Sequence, residues 1–82
     1  MLYDPRYQVL REELVGARLR AGFTQVTLAE KLNRAQSFIS KVETGERYVD
    51  VLDLLAWCEA TKVDPYQVLH RVQSVNGRQS GP

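Results

Sequence analysis

The chain has 82 residues, which bounds it to one small domain whose core is marginal in isolation. With 44% hydrophobic and 26% charged residues it is too apolar for disorder, and it has no run of about 18 apolar residues to span a membrane. A formal net charge of +1 neither demands nor excludes a polyanionic partner.

Asp4-Pro5 starts a first helix, because Asp accepts from free N–H groups and Pro fits the first helical position. Tyr7, Leu10, Leu14, Ala17 and Ala21 recur at three- and four-residue steps and predict one buried stripe. Gly22 stops this helix. Gly16 inside it costs about 1 kcal/mol against Ala and suggests a close helix–helix approach. Thr24 caps a second helix to about Leu32, with Leu28, Ala29 and Leu32 inward. Asn33 then suits a left-handed turn. A third helix spans about Gln36 to Thr44, with Ile39 and Val42 inward, and Gly45 ends it.

Asp50 caps a fourth helix to about Thr61. It carries two apolar stripes, one of Val51, Leu54, Leu55 and Cys58, the other of Leu52, Ala56, Trp57 and Ala60. A helix apolar on two faces is expected to be buried on both. Asp64-Pro65 starts a fifth helix, with Gln67 placed for a capping box. Tyr66, Val68, Leu69, Val72 and Val75 give it an apolar side. Residues 76–82 (NGRQSGP) read as a disordered polar tail after a 1–75 domain. The fold expected is all-α, five short helices without strands.

Charge is uneven along the chain. Arg18, Arg20, Lys31, Arg34, Lys41 and Arg47 face only Glu30, Glu43 and Glu46 between residues 18 and 47. That pattern suits one basic face. Chemistry has no candidates. Cys58 is the single cysteine, so no intrachain disulfide forms, and it reads as a small core residue. His70 lacks partners at metal-ligand spacing. No catalytic set, metal or cofactor is expected. The N-terminus lacks a basic segment followed by an apolar one, so a cytoplasmic setting without a secretory signal is expected.

Residues 14 to 69 resemble the phage-repressor/Cro (XRE-type) helix-turn-helix family. The matching residues are Arg18, Gly22, Thr24-Gln25, Leu28-Ala29, Leu32, Ser37, Ile39-Ser40, Val42-Glu43 and Gly45. The apolar run from Val51 to Val63-Asp64-Pro65 completes the match. The resemblance implies a compact, lambda-repressor-like domain with its helix-turn-helix at the second and third helices. Asn33 replaces the usual turn glycine, Lys62 another common glycine, and Thr61 a common leucine. Ala35 stands where members often carry a capping Ser or Thr.

With Ile39 and Val42 inward, Ser37, Ser40, Lys41 and Thr44 lie on the outer arc of the third helix. Gln36 lies at its N-terminal end. Gln matches adenine two-pronged, Lys donates to guanine, and Ser adapts. The resemblance implies base contacts at Gln36, Ser37 and Lys41 and a phosphate contact at Gln25; with the exposed positions beside them, Gln36, Ser37, Ser40 and Lys41 are the expected base contacts, and Thr24, Gln25, Arg34, Thr44 and Arg47 the expected phosphate contacts. The resemblance makes Arg18 and Glu43 a structural ion pair. The partners expected are duplex DNA and a second copy of the chain, through Leu52, Ala56, Trp57, Tyr66, Leu69 and Val72. The function expected is a transcriptional regulator, a repressor binding a palindromic operator as a homodimer. Two relatives share this chemistry: a restriction–modification controller, and an antitoxin with a toxin as protein partner. A reading of another class is a helical interaction module without DNA binding. Arg34, Lys41 and Arg47 argue against it.

Overall fold

Among the described residues, four of the five helices start on a side chain that accepts a hydrogen bond. The computed structural model describes residues 4–75. Asp4 Oδ1 accepts from the Arg6 N–H at 2.9 Å before α1 (Pro5–Arg20). Thr24 Oγ1 accepts from the Thr27 N–H at 3.0 Å before α2 (Gln25–Leu32). Asp50 serves α4 (Val51–Thr61) through the Asp53 N–H at 2.8 Å. Asp64 serves α5 (Pro65–Gln73) through the Tyr66 N–H at 2.9 Å. The exception is α3 (Gln36–Thr44), which Ala35 precedes without a side-chain bond. The stretch 76–82, read as a tail, lies outside the described residues.

The ends of α2, α3 and α4 share one solution. Asn33 (φ 56°), Gly45 (φ 84°) and Lys62 (φ 59°) are left-handed. The next N–H then bonds back five residues, Arg34 to Ala29 O, Glu46 to Lys41 O and Val63 to Cys58 O. Lys62 thus adopts the backbone that a glycine would, at a steric cost of about 1 kcal/mol. Thr61, where a leucine is common, is buried, and its hydroxyl donates to Trp57 O at 2.8 Å. A buried polar group is tolerable when bonded in this way.

Leu14, Leu28, Ile39, Val42, Trp57 and Val68 bring all five helices into one core and are fully buried. α1 packs against α3, α4 and α5, while α2 packs against α3 and α4. The helix-turn-helix is therefore held from behind by α1 and α4.

Four expectations need correction. α4 buries one face, not two. Leu54, Trp57 and Cys58, drawn from both predicted stripes, are inside together with Thr61, while Val51 (68%), Leu52 (76%) and Leu55 (45%) are exposed. Trp57 is not a surface for a second copy. It is 0% exposed, and its Nε1 donates to Leu14 O at 3.0 Å. Gly16 marks no helix–helix approach, because a Cβ there would meet Nη1 of Arg20 in its own helix, at 2.9 Å. Gln67 forms no capping box; its Oε1 accepts from Arg71 Nη2 at 3.4 Å, one turn on.

Candidate nucleic-acid interface

Burial of Phe38, Ile39 and Val42 orients α3. The 3.6-residue period then turns Gln36, Ser37, Lys41 and Thr44 to solvent, with Ser40 half-buried beside them. Phe38, which could have reached a thymine methyl from a surface position, is only 4% exposed.

A hydrogen-bonded chain runs from α1 to this outer face. Arg18 Nε donates to Glu43 Oε2 at 2.7 Å, and Nη2 to Oε1 at 3.0 Å. Arg18 Nη1 holds Phe23 O at 2.9 Å. Glu43 Oε1 also accepts from Gln25 Nε2 at 3.0 Å, and Gln25 Oε1 accepts from Gln36 Nε2 at 3.0 Å. The Arg18 and Glu43 side chains are 12% and 7% exposed. At that depth the pair is well shielded, and losing one partner strands the other, a loss of about 3–5 kcal/mol for a fully buried pair. The two residues sit as the resemblance implied.

The ion pair also sets the direction of the chain. A carboxylate only accepts, so Gln25 must turn its NH2 inward and its carbonyl outward. Gln36 must then give one N–H to that carbonyl. Its own Oε1 and second N–H remain for something outside the protein.

The expected phosphate residues differ in how committed they are. Thr24 is occupied in capping, although its position at the rim is exposed. Thr44 Oγ1 donates to Glu46 Oε2 at 2.9 Å, which puts a carboxylate at the end of α3. Arg34 pairs with Asp53 at 2.5 Å. Its guanidinium lies 3.7 Å from the Phe38 ring centroid, and that of Arg47 lies 4.8 Å from it. Of the cations expected to form a basic face, Arg18 and Arg34 are thus neutralised by carboxylates. Arg20, Lys31, Lys41 and Arg47 remain exposed and join no ion pair among the described residues, and of these Lys41 lies on α3 and Arg47 just beyond it.

Sequence reasoning missed the support behind α3. The Tyr7 hydroxyl donates to Arg47 O at 2.8 Å and accepts from the Val49 N–H at 3.1 Å. Its ring meets Tyr48 edge-on, centroids 4.7 Å apart. Burial raises the Tyr7 pKa above the ordinary phenol range and keeps the hydroxyl a donor. Arg11 Nη1 donates to Glu43 O at 2.8 Å, satisfying a carbonyl in the last turn of α3. Gly45 leaves room for it, since a Cβ there would lie 3.3 Å from Arg11 Nε. Tyr7 was visible only as a core position and Arg11 carried no signal, because their partners lie more than 30 residues away.

A capped first helix, two short helices meeting at a left-handed residue, and an outward polar α3 define a helix-turn-helix protein. Residues 9–70 match the helix-turn-helix domain family. The structure of an XRE-family like protein from Pseudomonas syringae pv. tomato str. DC3000 is similar, with TM-score 0.78 and 43% identity over 84% of each chain. Comparison with curated proteins returns no match. The chain belongs to the XRE-type helix-turn-helix family, whose members are DNA-binding transcription regulators. Among the described residues no helix is long and apolar enough to cross a membrane.

Proposed function

We propose that this regulator is a repressor that reads a palindromic operator as a homodimer, with α3 in the major groove. The observation that carries the reading is Gln36. The Arg18–Glu43–Gln25 chain points its free Oε1 and N–H outward, the pair that adenine presents a match for at N6 and N7. A side chain already oriented loses less entropy on binding. Ser37, Ser40 and Lys41 extend the reading face. Thr24, Gln25, Thr44 and Arg47 rim it, where phosphates would run.

One α3 supplies few contacts, so a second copy is needed for useful affinity. Leu52, Tyr66 (80% exposed) and Leu69 (44% exposed) offer apolar surface for it, with Ala56 and Val72 half-buried beside them. Two-fold symmetry would place the half-sites about 34 Å apart.

A gel-shift series with duplexes selected from a random pool tests this. Gln36→Ala and Lys41→Ala should each weaken specific binding by about 1–3 kcal/mol. A wild-type protein that shows no sequence-dependent, salt-sensitive binding to any duplex ends the reading.

A further inference from the structure

Arg34 is tied down on three sides. Its backbone N–H closes α2 by bonding to Ala29 O at 2.9 Å. Its Nη1 meets Asp53 Oδ1 at 2.5 Å, with the two side chains 33% and 15% exposed. Its guanidinium lies 3.7 Å from the centroid of the Phe38 ring. Asp53 is itself fixed, because it sits in the first turn of α4 and its N–H is held by the Asp50 cap. Phe38 is the third residue of α3, so whatever holds its ring holds the first turn of that helix. Among the described residues, this is the one helix whose start has no side-chain cap.

We propose that Arg34 is a positioning residue for α3 rather than a phosphate contact, and that the Arg34–Asp53 pair substitutes for the cap that Ala35 cannot provide. A guanidinium stacked on a ring and bonded to a carboxylate has its charge offset and its fork directed into the protein. A phosphate reaching for it would have to displace a carboxylate of similar charge. Arg47 lies 4.8 Å from the same ring and has no carboxylate partner among the described residues. The two arginines around Phe38 therefore divide the work: Arg34 sets the start of α3, and Arg47 keeps its charge for the DNA backbone.

The affinity part of this inference rests on the DNA-binding reading, while its structural part does not. Asp53→Asn separates the two roles by sign. If Arg34 positions α3, the variant should speed amide exchange at Phe38, whose N–H is held by Ala35 O at 3.0 Å, by about fivefold in the free protein, the worth of one N-cap. Specific DNA affinity should fall by a similar factor, with the salt dependence of binding unchanged. Adding Ala35→Ser, which supplies a hydroxyl acceptor, should restore both. Arg34→Lys keeps the charge and loses the flat fork, so it should show the same loss.

Tighter binding by Asp53→Asn, with a salt slope steeper by about 0.9, would show Arg34 released onto a phosphate and overturn the proposal. Unchanged exchange in Asp53→Asn, or full affinity in Arg34→Lys, would overturn it as well. If Asp53→Asn fails to fold, Arg34→Lys and its rescue by Ala35→Ser decide alone. If the wild type binds no duplex, the DNA reading fails, and exchange with its rescue by Ala35→Ser still decides the positioning role.

Discussion

The two sides of α4 have nearly the same chemistry and opposite fates. The inner side places Trp57, Leu54 and Cys58 in the core, where Trp57 is 0% exposed and bonded to α1. The outer side leaves Leu52 76% and Val51 68% exposed. The difference comes from the partners. α1, α2 and α5 all pack against α4, and together they can cover one face of it. Apolarity tells that a residue gains by leaving water, but not which neighbour covers it. The uncovered side is where a second copy would gain most.

Trp57→Ala should break the inner side most severely. Loss of a fully buried indole should cost about 3–5 kcal/mol of stability, read by urea unfolding. A loss under about 1 kcal/mol would mean the core is not organised around it. Leu52→Glu probes the outer side, and Leu69→Glu the exposed apolar face of α5. They should change monomer stability by less than about 0.5 kcal/mol and lower the sedimenting mass to that of one chain. A dimer unchanged in both variants would move the interface to another surface.

The smallest effect comes from Cys58. Burial, helped by the negative charge of Asp64, raises its thiol pKa above the ordinary value. The reactive thiolate is therefore scarcer at neutral pH, and the side chain is only 1% exposed. A thiol reagent should label it at the rate at which the protein opens, and at once in denaturant. Rapid labelling of the native protein would show that the inner side of α4 breathes.

Helix boundaries were legible because their causes are local. Asp4, Thr24, Asp50 and Asp64 cap within three residues, and Asn33 and Gly45 turn the chain by their own backbone preference. Lys62 shows the limit of that logic: the left-handed turn formed there without a glycine, because the surrounding bonds outweigh its modest strain. Gly16 and Gln67 misled for the opposite reason. Each matched a local pattern, but Arg20 filled the space beside one and Arg71 took the side chain of the other.

Within the site, the exposed set on α3 followed from periodicity. Its wiring did not. Whether Gln36 leans on Gln25, or Arg34 on Asp53, depends on where side chains 11 and 19 residues apart in sequence come to rest. Trp57 was misplaced on the same account, since two stripes of equal apolarity offered no basis for choosing between them.

The Tyr7 hydroxyl, which joins the first helix to the loop after α3 across 40 residues of sequence, limits what can be transplanted. A peptide spanning only the two helices of the motif would lack the clamp on its far end and the Arg11 bond to its last turn. Short isolated helices are marginal in water. Grafting residues 24–45 into another scaffold should therefore carry over the surface chemistry without its geometry. Folding has a matching order: α1 is synthesised before α3, yet the bonds that Tyr7 and Arg11 make close only after α3 and the loop beyond it have emerged.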